Sequence, residues 1–475
     1  MGKKKHPGPL PAGPRPWPLI GNLLDLPTTR EWVKYAEMGR QYGGSAWVTV
    51  FGQNIMLVTD GDLAIEMLDK KSAKYSSRPT LQMGGELSGW RETLILLRYG
   101  QKFREYRRYF HQLIGSKASM DKFLPIEEYE TAIFLQRVAA KPEALSEHVR
   151  RMAGAIILRI AYGYELQDVN GRDPLVDLVD EAIGQFSAAT LPGAWLVDVM
   201  PILKHVPLWF PGGNFQKLAK QWKECLNLMV EKPFNFTKQQ MAEGVAPPSF
   251  VSNLLENEAS LTADDIYNIK WAAGSLYSGG ADTTVSAIYS LYLAMTLFPE
   301  VQKKAQIDAV VGNDRLPCFA DRSAMPYCDA VLKEVLRWNV VAPLAVPHVT
   351  DEEDWQDGKY IPANTMVIPN IWWMLRDPAR YPNPAVFDPE RYIAAPGKTV
   401  QTDPRTFCFG FGRRICPGLN LADASLFISI TMSLAVFDIK KVVENGVEIT
   451  PEVDVVPGTI WYVHSSSKAE DKFRC

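Results

Sequence analysis

Only six of the 475 residues are cysteine, at 225, 318, 328, 408, 416 and 475, too few and too scattered to form a disulfide framework. A zinc site wants Cys or His roughly two to four residues apart on each arm, and Cys408 and Cys416 stand further apart than that. Charge of one sign is missing too. With 51 basic against 54 acidic side chains the net charge is -3, which gives no whole-chain drive toward nucleic acid, although the local cluster KFREYRR at 102 to 108 suits an acidic partner. No Gly/Ser-rich linker, low-complexity tract or internal repeat interrupts the middle of the chain, so one large domain is preferred to the three that length alone suggests. Long apolar runs are lacking as well: the stretch 285 to 298 is too short and too polar to cross a bilayer. The start, MGKKKHPGPLPAGPRPWPLIGN, passes from a basic run into proline-rich sequence without the apolar region of a signal peptide. Against these absences, 47% hydrophobic and 22% charged residues are enough to bury a large core.

What is present is FCFGFGRRICPG, residues 407 to 418. Gly410 and Gly412 make a Gly-x-Gly, but Ile415 occupies the third position of a dinucleotide loop and no strand clearly leads in. An inert buried cysteine on a glycine-rich turn is one reading. The other is a lone thiolate metal ligand, its sulfur accepting hydrogen bonds from backbone N–H groups that glycines leave unobstructed, with an arginine beside it for an anionic cofactor. Haem fits that description.

Three further stretches carry chemistry. From Thr262 to Leu297 the pattern is helical and long, and SGGADTT at 278 to 284 sits inside it. A glycine in a helix interior costs about 1 kcal/mol relative to Ala, so Gly279 and Gly280 ask for a reason. The residues alone fit equally a kinked helix with a solvated Asp282 and a Thr283 hydroxyl bonded to the preceding turn. In KEVLR, 333 to 337, Glu334 and Arg337 share a helical face, by itself an ordinary surface pair. About fifty residues on comes FDPERY, 387 to 392.

Phe409, Gly410, Gly412, Arg414, Cys416 and Gly418 match the haem-binding loop of the cytochrome P-450 superfamily, and the chain resembles that family from Pro9 to about Tyr462. The spelling of PGPRPWPLIGN, RWNVVAPLAVPH and IPNIWWMLRDP is most similar to fungal microsomal members, among them those of the O-methylsterigmatocystin oxidoreductase-like type. The resemblance implies a mainly α fold with small β-sheets, with haem b (iron protoporphyrin IX) between a long central helix and the cysteine loop. It implies Cys416 as the iron ligand, with Phe409, Gly410 and Gly418 in the loop beneath the haem and Gly279 and Gly280 in the helix above it. Asp282 and Thr283 become the acid–alcohol pair that delivers protons during dioxygen reduction. Arg414, His348 and Arg107 become contacts of the haem propionates, and Phe103 replaces the usual Trp, four residues before Arg107, with the loss of one propionate hydrogen bond. Glu334, Arg337 and Arg391 become one buried structural ion cluster.

Function follows from the same resemblance. It implies a haem-thiolate monooxygenase that hydroxylates a lipophilic terpenoid, steroid, polyketide or aromatic compound of secondary metabolism. The rivals are a haem-thiolate isomerase or dehydratase, against which Asp282 and Thr283 count, and a non-catalytic haem sensor. The chain carries neither a flavin nor a nucleotide fingerprint, so the expected partners are O2, an NADPH-cytochrome P-450 reductase docking near Lys102, Arg104, Arg108 and Arg413, and cytochrome b5 as a second donor. No nucleic acid is expected, and a monomer is. The substrate pocket is expected from 80 to 99, 186 to 210, 272 to 283, 341 to 347 and 456 to 461, while 197 to 212 is amphipathic enough to dip into a membrane surface or to serve as core. Residues 1 to 22 read as a basic start and proline-rich hinge, 23 to 475 as a single catalytic domain. The natural protein is expected to have an anchor helix in the place of MGKKK, on the cytosolic face of the endoplasmic reticulum.

Overall fold

The protein is mainly α-helical with small separate sheets. The computed structural model describes residues 6–451 apart from 28, 168–171, 192, 210–211, 306–309 and 313, and beyond them only the backbone of the strands Val455–Val456, Tyr462–Val463 and Phe473–Arg474. The expected pocket segment 456 to 461 therefore lies outside the described residues, save the strand backbone at Val456.

The helices that frame the site, labelled in chain order, are α1 (Gln101–Ile114), α2 (Leu124–Ala140), α3 (Leu145–Tyr162), α4 (Pro174–Thr190), α5 (Ala263–Leu297), α6 (Pro326–Trp338) and α7 (Leu419–Val436). The spine is α5. Thr262 starts it with a reciprocal cap: its hydroxyl accepts from the Asp265 N–H at 3.1 Å, and the Asp265 carboxylate accepts from the Thr262 N–H at 2.9 Å. No proline interrupts the next 35 residues, which span about 50 Å at 1.5 Å each. Almost every side chain from Ile269 to Thr296 that faces α3, α4 or α7 is buried, so the helix runs through the core and not along its surface.

Sequence reading passes over α7. Its mean hydropathy of 1.6 over 18 residues is high enough for a membrane span, yet 424 to 433 are buried without a break between α2, α5 and α6. A helix apolar on all sides is here a core helix. It begins directly after the cysteine loop, so the loop is held to the middle of the core.

A four-stranded sheet flanks the helices, with β1 (Ser45–Val50), β2 (Gln53–Val58), β3 (His348–Val349) and β4 (Met366–Pro369) in the order β1-β2-β4-β3. Phe51 and Gly52 turn β1 into β2 with φ of 46° and 86°, the left-handed pair that matches strand twist. On β3, His348 lies opposite Val367 of β4, which fixes its position. The proline-rich start docks on this side: the Pro9 carbonyl accepts from Tyr360 N–H, Ala12 from Trp47 and Thr49 from Asn22, at 2.8, 2.8 and 2.6 Å.

Behind α6, the Glu334 carboxylate meets Arg337 through two bonds of 2.8 Å and Arg391 through one of 3.2 Å, all three side chains being buried. Asp388 N–H and Tyr392 OH donate to the same carboxylate, at 2.8 and 3.2 Å. One anion faces two cations, and the remaining guanidinium N–H groups are taken up by the carbonyls of Leu375, Pro382, Asn383, Pro384 and Val386. The carbonyl set, which carries no side-chain signature, is the part that sequence reading does not reveal.

Candidate active site

Gly410 and Gly412 hold φ of 77° and 52°, conformations that a side chain disfavours, and a Cβ on Gly412 would come within 2.3 Å of the Leu68 carbonyl. The tight path turns the chain so that the Cys416 N–H donates to the Phe409 carbonyl at 2.7 Å. Phe409 itself leans on the edge of the main core. The Cys416 side chain is accessible although protein surrounds it, so its sulfur faces an internal space. Burial pushes the thiol up, and the Gly418 N–H and the Arg107 guanidinium pull it back.

Arg107, expected among the propionate contacts, donates from Nη1 to the carbonyl of Ile415 at 2.7 Å and so also braces the cysteine loop from α1. Phe103, one turn earlier, keeps a role despite the missing indole: the Arg414 guanidinium lies 3.9 Å over its ring centroid.

Arg414 donates to the carbonyls of Ser76, Leu94 and Leu97, with Nε and Nη2 at 2.5 and 2.6 Å from the first and last. His348 is buried, with Nδ1 at 2.7 Å from the Tyr75 carbonyl. Between them the structure places Arg78, a residue that the sequence analysis misses. Its Nη1 donates to the Val346 and Pro347 carbonyls at 2.7 and 2.9 Å. All three are at least nine-tenths buried, and among the described residues no carboxylate bonds to any of them. Burial pushes Arg414 down to about 9, with Arg107 adding to the effect; burial, then Arg78, holds His348 well below the usual imidazole range. Arg78 and Arg414 are buried cations with only carbonyl partners, costly unless an anion completes them, and the neutral His348 imidazole beside them is left to hydrogen-bond. A dianionic haem edge would supply that anion, and the accessible Cys416 sulfur is the group that would hold its iron. The residues fit the cofactor.

On α5 the two glycines divide. Gly279 is exposed in the middle of a mostly buried helix, with nothing within 4 Å of an added Cβ, so it faces open space. Gly280, expected beside it as a cofactor contact, faces the other way: a Cβ would meet Ile157 of α3 at 2.8 Å, and its purpose is close helix packing. Asp282 and Thr283 divide likewise. The Thr283 hydroxyl donates to the Gly279 carbonyl at 2.8 Å and stays accessible on the Gly279 side, while Asp282 is 1% exposed, with Oδ2 lacking a hydrogen-bond partner. Burial, then Asp180, pushes Asp282 up to about 7. Adjacent helical residues point about 100° apart, and here that turns the carboxyl toward α3 and α4, where Arg150 and Asp180 lie.

Of the basic residues expected to meet a reductase, Arg104, Arg108 and Arg413 are exposed, and Arg104 and Arg413 both lie near the Tyr99 ring, 5.8 and 5.0 Å from its centroid. Lys102 differs, being held by Glu92 at 2.5 Å. A separate cleft of about 260 Å³ between α2 and α3, lined by Tyr129, Arg137, His148, Arg151 and Arg159 among others, shares no residue with the Cys416 site.

The family model described as cytochrome P-450 matches residues 11–457. Cytochrome P-450 monooxygenase 208 of Postia placenta is 52% identical over 461 residues, 97% of this chain and 89% of that protein. Cytochrome P-450 monooxygenase claR of Ampulloclitocybe clavipes is 46% identical, covering 95% and 84%, and monooxygenase ppsD of Aspergillus oryzae is 43% identical, covering 95% and 86%.

Proposed function

The chain belongs to the cytochrome P-450 family, and on that premise we propose that it hydroxylates a lipophilic small molecule, a terpenoid, steroid, polyketide or aromatic compound, with electrons from an NADPH-dependent reductase. As a member it is a monooxygenase whose cofactor is haem b. When bound, haem activates O2 so that one oxygen atom enters a C–H bond and the other leaves as water. The observation that carries the reading is the Cys416 sulfur, accessible though surrounded by protein, in a loop whose Arg414 belongs to a buried group with Arg78 and His348 that has no carboxylate partner among the described residues.

In this reading Cys416 holds the iron and donates electron density to it. Arg78, His348 and Arg414 orient the propionates by charge-assisted bonds. Thr283 orders a proton donor on the oxygen side, and Asp282 keeps an exchangeable proton near neutral pH, the condition for an effective general acid. The lipophilic substrate class is supported by the described pocket segments, where Trp90 and Phe186 pack with centroids 4.5 Å apart and Leu96 is buried. The reductase, with cytochrome b5 as second donor, fits the exposed patch of Arg104, Arg108 and Arg413. A setting at the cytosolic face of the endoplasmic reticulum is supported by the exposed Leu196, Met200, Ile202, Leu208 and Trp209.

The test is the spectrum of the reduced protein with carbon monoxide. A thiolate-ligated haem gives a red-shifted Soret band, and Cys416→Ala should abolish it. A band retained in that variant would sink the assignment.

A further inference from the structure

Asp282 raises a question of supply. It is buried, Oδ2 has no partner, and its carboxyl is turned away from Thr283 toward the interface with α3 and α4. A buried acid that gives up a proton in each turnover has to be recharged, and this one has no surface of its own. Among the described residues only two charged groups bear on it, Asp180 from α4 and Arg150 from α3. Arginine cannot deliver a proton, because it stays charged at every relevant pH. Asp180 can.

We propose that Asp180 is the proton-entry residue of this enzyme, passing protons from solvent through a bridging water to Asp282 across the interface between α4 and α5. The proposal rests on Asp282 being the proton donor. Asp180 suits the outer position because its side chain is 32% accessible and exchanges with water. Arg150 Nε stands 3.8 Å from its Oδ2, a loose pair, while Arg150 Nη1 is anchored on Ser146 Oγ at 2.6 Å. The carboxylate is therefore steered without being tied down. The interface itself is fixed, because Tyr277 OH of α5 donates to the Leu175 carbonyl of α4.

Burial first, then Asp177 on the same helix, pushes Asp180 up to about 6 against the pull of Arg150 and Arg172, and burial, then Asp180, pushes Asp282 up to about 7. Both carboxyls are thus raised toward neutral pH, so each can take up and release a proton there, and the emptied Asp180 carboxylate is refilled from solvent. No electron moves in this relay. The plain alternative is that Asp180 is only the surface partner of Arg150.

Asp180→Asn, made in the haem-loaded protein, separates the two. The first measurement is infrared: the C=O stretch of the protonated Asp282 carboxyl, identified by its loss in Asp282→Asn, should titrate at lower pH in Asp180→Asn, because a neighbouring negative charge has gone. An unmoved midpoint overturns the proposal. The second measurement is oxygen reduction with reductase and NADPH but no added substrate. Above pH 7 it should slow about 10-fold in Asp180→Asn, at the low end of what general-acid catalysis contributes, and Asp180→Glu should restore it. Turnover driven by hydrogen peroxide, which brings its own protons, should be unchanged. If Asp282→Asn is impaired and Asp180→Asn matches the wild type throughout, Asp282 keeps its role and the entry route is wrong. If Asp282→Asn is itself unimpaired, the donor reading falls and the relay with it.

Discussion

Thr283 and Asp282 are neighbours in the chain but point about 100° apart on one helix, so their removal should have separable effects. Thr283→Ala takes away the accessible hydroxyl on the Gly279 side and leaves the carboxyl untouched. It should let NADPH be consumed while peroxide replaces product, with haem content and the carbon monoxide spectrum intact. Asp282→Asn should instead slow turnover, by a factor of about 10² to 10⁴, because a proton source is lost and not a positioning group. Peroxide and product yields per NADPH distinguish the two, and wild-type coupling and rate in both variants would return the segment to a mere kinked helix. Arg78 belongs to the same scale. Nothing in YSSRPT marks that arginine, whereas Cys416 and Arg414 are legible because glycines at fixed offsets surround them. A loop motif spells out its own backbone; a cation from a distant segment becomes a site residue only when the chain folds it there.

The same scale-dependence holds for helix α5. In isolation either glycine of SGGADTT replaced by Ala gains roughly 1 kcal/mol of helix propensity. The packing of α3 makes the two substitutions differ in sign. Gly279→Ala has open space before it and should raise the thermal stability of the haem-free protein. Gly280→Ala drives a methyl to 2.8 Å from both Cγ1 and Cδ1 of Ile157 and should cost about 1 to 3 kcal/mol by overpacking, a loss that should shrink in an Ile157→Ala background, where both atoms are gone. Melting curves of the three variants decide it; equal behaviour of the two glycines would refute the division. Sequence periodicity shows that α5 is long and capped at Thr262, because both signals are local. It does not show which side of the helix meets α3.

At the scale of the whole molecule, one buried cluster and one exposed surface make opposite demands. Glu334 is the single anion between Arg337 and Arg391, so Glu334→Ala leaves two guanidiniums buried among carbonyls. That should cost about 3 to 5 kcal/mol, a large part of the stability of an ordinary protein. Loss of soluble, haem-loaded protein on expression is the expected outcome, and normal yield would show the cluster to be dispensable. The exposed apolar stretch from Leu196 to Trp209 should by contrast tolerate Ile202→Ser with Trp209→Ser, without a change in melting temperature. Flotation with phospholipid vesicles should fall in that double variant; unchanged flotation would place the membrane contact elsewhere.

The family, the cysteine loop and the long central helix are legible in the sequence alone, because each rests on residues close together in the chain, where spacing by itself constrains geometry. The membrane-like hydropathy of α7 and the surface-like spacing of Glu334 and Arg337 mislead for the complementary reason: hydropathy and periodicity report what a segment can bury, not what is packed around it. Only the tertiary structure decides that α7 is core, that Arg107 braces the cysteine loop, that Gly280 serves Ile157, and that Asp282 turns to Asp180. Each of these depends on which segment, often more than a hundred residues away, fills the space beside it, and that is set by packing of the whole chain.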